Sequence, residues 1–444
     1  MFEEIIEYVK KKQYMQARKE LIELNAPDVA AILEELSGED MLKVFRMLPK
    51  DMAAEVFSHL PLEEEQDLIT SLATNEAASI LDNLFADDAA DLIDEMPAGV
   101  VTRLLEATSP ETRRDINHLL KYPEDSAGSV MTVEYVSLKE NITVEQAFDR
   151  IRTVGVDKET IDICYVTDLN RQLLGTVTLR RLLLSDKSAK ISDIMHENVI
   201  TINTLTDQEE AAREFKKYDF TSMPVVDSEN RLVGIITVDD IVDIMEQEAT
   251  EDIEKMAAII PTDKPYMKTG IFETYRKRMP WLLLLMISAT FTGSIISHYE
   301  SALGAYVVLT SFIPMLMDTG GNAGSQASIT IIRGLSLNEI TMKDLFRVLW
   351  KEIRIAIGCG LTLAAANLIR LLLFDRVGIA VAAVVCLTLF VVVIVAKITG
   401  SVLPLLAKQI GFDPAVMATP FITTIVDAMS LLLYFQIATH ILHI

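Results

Sequence analysis

From residue 281 onward the chain consists of long apolar runs that a water-soluble fold cannot hide. Ile398–Ala407 contains no Asp, Glu, Lys or Arg, and neither does Ala428–Ile444. Residues 281–444 hold nine Lys/Arg and eight Asp/Glu, leaving thirty-one bases and fifty-six acids for residues 1–280. The back of the chain is therefore expected to be a membrane body and the front an acidic soluble one. Such a front repels nucleic acid and anionic lipid and attracts cations. Acidity serving solubility alone would read the same way. The opening residues MFEEIIEYVK lack the basic start and apolar core of a signal peptide, so the front is expected to stay in the cytosol. The three cysteines show neither a disulfide framework nor a CxxC metal site.

Within the apolar part, Asp413–Ser430 (DPAVMATPFITTIVDAMS) is the stretch that most needs explaining. Asp413-Pro414 reads as a capped helix start. Pro420 is expected to interrupt the hydrogen-bond ladder, with Thr423 and Thr424 satisfying the freed backbone groups. One turn on, Asp427 stands alone at mid-bilayer depth, where an uncompensated carboxylate costs about 3 kcal/mol or more. Its compensating charge comes either from another segment or from a bound cation, and the cation is the reading taken here. Earlier, PMLMDTGGNAGSQASITIIRG brings Gly320, Gly321 and Gly324 together with Asn322, Ser325 and Gln326. This segment is expected to be broken, exposing carbonyls to a cavity, with small-residue helix packing as the plainer reading. Five spans are expected, at about 281–299, 303–332, 355–374, 377–402 and 414–440. Arg276–Arg278, Arg333, Lys343, Arg347, Lys351, Arg354 and Lys408 place the N-terminus inside and the C-terminus outside.

In the soluble front, residues 24–107 repeat with a twelve-residue period. Large apolar residues recur at Leu24, Leu36, Leu48, Leu60, Leu72, Leu84 and Met96, and apolar pairs fall at places such as Ile32-Leu33 and Val56-Phe57. One short helix and turn per unit cannot bury its own face, so 1–125 is expected to be a small right-handed helical solenoid. His59 and His118 are read as ordinary lone histidines. A longer duplication follows: SVMTVEYVSL aligns with DIMHENVITI, and YVTDLNRQLLGTVTLRRLL with PVVDSENRLVGIITVDDIV. Each half alternates helix with short Val/Ile/Thr strands. The pair resembles tandem CBS modules, over 126–188 and 189–248. That resemblance implies an adenine-nucleotide site, such as ATP, in module 2 only, where Thr237 and Asp240 match the ribose-phosphate pattern. Module 1 carries Arg181 at the acidic position. A structural or Mg2+-sensing role is equally open.

Next comes DDIVDIMEQEATEDIEKM, with eight acids and no base from Asp239 to Glu254. Like charges at i,i+3 and i,i+4 oppose a helix there. Divalent cations bridging this helix to another acidic body would remove the repulsion; a plain solvated face is the alternative. Taken together, helical N domain, CBS pair, acidic helix and five spans resemble the MgtE family of Mg2+ channels over essentially the whole chain. PMLMDTGGNAGSQ and DPAVMATPFITTIVDAM resemble its two membrane signatures. The fold implied is an all-α superhelical N domain (1–125), an α/β CBS pair, an acidic connecting (plug) helix and linker (239–278) and a five-helix transmembrane domain (279–444).

The resemblance also implies a homodimer in the lipid bilayer, with no nucleic-acid partner and no enzymatic activity. Asp427 would hold Mg2+ in a pore lined by Gly321, Asn322, Ser325, Gln326, Pro420, Thr423 and Thr424. Glu251 and Asp252 match the acidic pair that meets the CBS surface. Asp240 and Asp243, with Asp219 and Glu209, match further regulatory Mg2+ positions. Two departures stand out: Ser430 replaces a common glycine, and Asp318 is an extra acid. An ion-coupled exchanger or a broader divalent (Co2+) carrier remains the alternative. Asp318-Thr-Gly matches the DTG of aspartic proteases, but its helical membrane setting does not suit that β-rich fold.

Overall fold

A computed structural model describes residues 2–262, 264, 266–300, 304, 306–417 and 419–443. The chain divides into two compact units, Met1–Met245 and Glu246–Ile444. In the first, the twelve-residue period appears directly as helix starts: Ala26, Gly38, Lys50, Leu62, Thr74, Ala86, Ala98 and Pro110. Each helix has only about two turns, so it gains little from propensity and depends on stacking. The apolar pairs are the stacking contacts: both members of Ile32-Leu33, Val44-Phe45, Val56-Phe57, Leu68-Ile69, Ile80-Leu81 and Leu92-Ile93 are buried. Burying two consecutive residues requires neighbours on two sides, as a stack supplies. The Glu76 carboxylate accepts from Ala73 N at 2.9 Å, and Asp82 accepts from Ser109 N at 2.9 Å.

The duplication becomes two three-stranded sheets. In the first, β1 (Tyr135–Lys139) runs parallel to β2 (Thr160–Thr167), which pairs antiparallel with β3 (Leu173–Thr178). In the second, β4 (Ile202–Asn203), β5 (Ser222–Val226) and β6 (Leu232–Thr237) repeat that order. The equal spacing from Asp168 to Gly175 and from Asp227 to Gly234 has a local cause. Each aspartate accepts two backbone amides of its own turn: Asn170 and Gln172 at 2.7 and 2.8 Å, Glu229 and Arg231 at 2.9 Å each. Each glycine passes a neighbouring carbonyl so closely that a Cβ would lie 2.7 Å from His196 O or Thr132 O. The segments leading into the modules are exchanged, Thr132 bridging to Ile235 of β6 and His196 to Thr176 of β3.

The acidic stretch forms one helix, Val238–Met256, despite its like charges. The membrane unit then contains helices Ile271–His298, Ile313–Ser336, Leu345–Leu373, Ile379–Gln409 and Thr419–Leu442. Among the described residues, four segments are long and apolar enough to cross a membrane: Ile271–His298, Met342–Leu373, Ile379–Gln409 and Pro414–Leu442. Ile313–Ser336, of 24 residues, is long enough but diluted by glycine and polar side chains. The expected start of that span, 303 and 305, lies outside the described residues. Arg276–Arg278 fall inside the first membrane helix, not before it.

The glycine-rich segment is a continuous helix and not a broken one. Its glycines serve packing: a Cβ on Gly320 would lie 2.7 Å from Val392 Cγ1, one on Gly324 3.2 Å from Ala396 O, and Gly400 abuts the Gly324 backbone. Helices approach this closely in lipid because no hydrophobic force otherwise holds them together. A buried ion pair, Lys397 Nζ to Glu352 Oε2 at 3.8 Å, ties Ile379–Gln409 to Leu345–Leu373.

Candidate functional site

Three groups of carboxylates are built by the fold. The first is on the C-terminal helix. Asp413 Oδ1 accepts from Ala415 N at 2.8 Å and starts a short turn, Pro414–Met417. The helix proper runs Thr419–Leu442, so Pro420 occupies its first turn and begins the ladder instead of breaking it. Thr423 and Thr424 hydroxyls donate to Pro420 O at 3.0 and 2.9 Å, the backbone satisfaction expected of them. Asp427 follows, half-buried and without a hydrogen bond or ion pair among the described residues. Asp318 is close enough to interact with it electrostatically. Asp318, Asn322 and Gln326 are all exposed on the glycine-rich helix at i,i+4 spacing, so they share one face. Gly321 meets Thr423, where a Cβ would be 3.0 Å from Cγ2. Ser325 lies instead on the packed side, buried, and its hydroxyl has no partner among the described residues.

A second group joins the connecting helix to the membrane unit. Lys255 Nζ sits 2.6 Å from Glu251 Oε1 and 2.8 Å from Asp413 Oδ2. The Ser336 hydroxyl donates to Asp252 at 3.4 Å. Burial, then the charge of Asp413, raises the Asp252 carboxyl pKa. Burial alone would lower the Lys255 ammonium; its hydrogen bonds to Asp413 and Glu251 outweigh that and hold it above the usual lysine range. Glu251 and Asp252 thus both have polar partners within the unit Glu246–Ile444. Twelve residues separate Asp240 from Asp252, about 18 Å of helix rise, so one helix presents carboxylates at two separate places.

The third group forms within the first unit. Asp87, Asp88 and Asp91 come from helix Ala86–Asp94, Glu159 from the approach to β2, and Asp240 from the start of the connecting helix. Asp87 is 8 % exposed. Its carboxyl is pushed well up by burial, then by the charges of Asp240 and Asp88. Burial, then the charges of Asp240 and Asp91, raises Asp88 to about 7, and burial, then those of Asp239 and Asp240, raises Glu159 to about 8. Asp240 rises to about 6 by burial, although it accepts the Thr237 hydroxyl at 2.6 Å. None of these groups has an ion pair among the described residues, and Glu159 Oε2 is buried without a hydrogen bond.

Sequence reasoning found Asp240 but missed Asp87, Asp88, Asp91 and Glu159. The available signal was the density of the 86–95 repeat unit, ADDAADLIDE, which carries five acids. Asp243 adds charge near Asp240. Glu209 pairs with Arg213 at 3.6 Å, and exposed Asp219 ends its helix in a left-handed conformation. The Thr237 hydroxyl donates to Asp240, with Asp239 and Asp243 close by. A cleft of about 650 Å³ lies elsewhere, lined by Asp162, Ile163, Thr178, Leu179, Arg180 and Thr221.

Comparison with known proteins agrees with this layout. Residues 313–437 match the MgtE profile, described as divalent cation transporter, 24–125 the MgtE intracellular N domain, and 127–187 and 191–247 the CBS domain. The magnesium transporter MgtE of Thermus thermophilus is 39 % identical over 336 residues, covering 76 % of this chain and 74 % of its own. That of Bacillus subtilis is 37 % identical over 339 residues, covering 76 % and 74 %. A crystal structure of the cytosolic domain of the Mg2+ channel MgtE in complex with ATP superposes with TM-score 0.53 at 40 % identity, covering 55 % of this chain and all of its own. The soluble part of a magnesium transporter also gives TM-score 0.53, at 31 % identity, covering 56 % and 98 %.

Proposed function

The chain belongs to the MgtE family of divalent cation transporters, and on that premise we propose that it is a Mg2+ channel closed by the Mg2+ it admits. The observation that carries this reading is Asp427: a half-buried carboxylate on a helix long and apolar enough to cross a membrane, with no ion pair among the described residues. Mg2+ sheds water reluctantly and favours six oxygens at short distance. Two Asp427 carboxylates, one from each copy of a homodimer, would hold a largely hydrated ion. Asn322 and Gln326 supply uncharged oxygens on the exposed face nearby, with Asp318 adding attraction.

Closure follows from the other two groups. At high cytosolic Mg2+, ions neutralise Asp87, Asp88, Asp240 and Glu159, and others gather at Glu251, Asp252 and Asp413. The connecting helix is then held in one position. At low Mg2+ the carboxylates repel one another and release it. The basic residues Arg276–Arg278, Arg333, Lys343, Arg347 and Lys408 put these groups on the cytosolic side. An adenine nucleotide such as ATP would tune the response from the Arg180 cleft, where Thr178 and Arg180 suit phosphate better than the acid-ringed Thr237 and Asp240.

The test is patch recording on the purified chain with cytosolic Mg2+ stepped from micromolar to millimolar. Mg2+ current that the millimolar steps shut off, absent in Asp427→Ala at an unchanged melting temperature, is the expected result. Conduction by Asp427→Ala, or uptake that follows a proton or sodium gradient, would overturn the proposal.

A further inference from the structure

The first unit contains a second pocket whose chemistry is opposite to everything around it. Its volume is about 400 Å³, and Lys139, Arg150, Lys158 and Arg171 line it together with Tyr135 and Thr167. No carboxylate lines it. The chain has 64 acids against 40 bases, yet none of these four bases forms an ion pair among the described residues. Asp168, next to the lining residue Thr167, is already engaged, its Oδ1 accepting the amides of Asn170 and Gln172, and Asp149 pairs with Arg152 at 3.4 Å.

The bases are partly held in place. Arg150 Nε donates to Ser137 O at 2.8 Å, and Arg171 Nη2 donates to the Tyr135 hydroxyl at 3.1 Å. The Lys139 ammonium reaches Thr167 Oγ1 at 3.2 Å and also Asp168 O. Each arginine thus spends one of its five donors and keeps the rest for something else. Lys158, half-buried, has no hydrogen bond or ion pair among the described residues. Four cations lining one cavity repel one another, and an anion of high charge relieves that.

We propose that this pocket of CBS module 1 binds a small anion carrying two or more phosphoryl groups, in its metal-free form. Guanidinium forks match phosphate oxygens, and lysines add point charge. The Mg2+ chelate of such an anion is a poorer fit, because the ion brings two positive charges against four and finds no carboxylate to hold it. The pocket therefore fills when cytosolic Mg2+ is scarce and empties when it is abundant. It is separate from the Arg180 cleft, with which it shares no lining residue.

Titration calorimetry of inorganic diphosphate into the purified full-length chain tests this. Binding is expected without Mg2+, weakened by excess Mg2+, and about tenfold weaker in Lys158→Glu and in Arg171→Gln. Lys187→Gln, at an exposed base of the same module outside both pocket linings, should leave it unchanged. Absence of binding, binding indifferent to Lys158→Glu and Arg171→Gln, or loss of binding in Lys187→Gln would overturn the site. Tighter binding with Mg2+ would overturn the metal-free selectivity. Circular dichroism of each variant separates lost binding from lost folding.

Discussion

In the membrane unit, Glu352 has Lys397 at 3.8 Å and Asp413 has Lys255 at 2.8 Å. In the soluble unit, Asp87, Asp88, Asp240 and Glu159 crowd together with no base in ion-pair reach among the described residues. Both arrangements take carboxylates out of water, and both need positive charge. The difference is its source. A lysine is a permanent partner that fixes two helices, whereas a group left without one stays responsive to whatever the solution supplies. Asp427 lies in the membrane unit but belongs with the second kind.

Removing the chain's own cation from the most buried pair should have the largest effect on folding. Lys397→Met leaves Glu352 buried and unpaired, a loss of about 3–5 kcal/mol, read as early thermal unfolding in detergent. Adding Glu352→Gln should recover most of it. A stable single variant would mean that the pair is no permanent tie and would dissolve the contrast.

The soluble group should behave in the opposite sense, responding to solution conditions. Its carboxyls titrate near 6, 7 and 8 in the fold, against about 4 when unfolded. Raised carboxyl pKa values stabilise the fold fully below the unfolded value, and that contribution is lost as pH climbs through 6 to 8. Without Mg2+, hydrogen-exchange protection of helix Ala86–Asp94 should therefore fall by at least about tenfold between pH 5 and pH 8. Millimolar Mg2+ should restore it at pH 8 and do little at pH 5. Flat protection would show that the group carries no unmet charge.

The junction lies between these extremes, and its effect should be the smallest. Lys255→Ala leaves Glu251, Asp252 and Asp413 for a divalent ion to neutralise. Mg2+ should then close the channel at roughly fivefold lower concentration, since a partly exposed pair is worth up to about 1 kcal/mol. A shift towards higher Mg2+ would make Lys255 part of the closed state's attraction and not a competitor.

Some of this was plain in the sequence because its cause is local. The helix starts at Ala26, Gly38 and Lys50 follow from apolar pairs that recur every twelve residues. Asp168 and Asp227 make their turns with amides two and four residues on. Asp427 stood out against an apolar background. Pro420 misled because proline reads alike at a helix start and at a break. The glycines around Gly324 misled because a close crossing with Gly400 and an exposed carbonyl call for the same residue.

The sequence by itself determined the soluble and membrane halves, the repeats, the family resemblance and the one carboxylate that membrane physics cannot ignore. Only the tertiary structure brought Asp87 of one helix to Asp240 of another and Glu352 to Lys397, and gathered four bases around one cavity. Charge acts through space over several ångströms. In a front half with fifty-six acids, no single one is conspicuous until folding has chosen its neighbours.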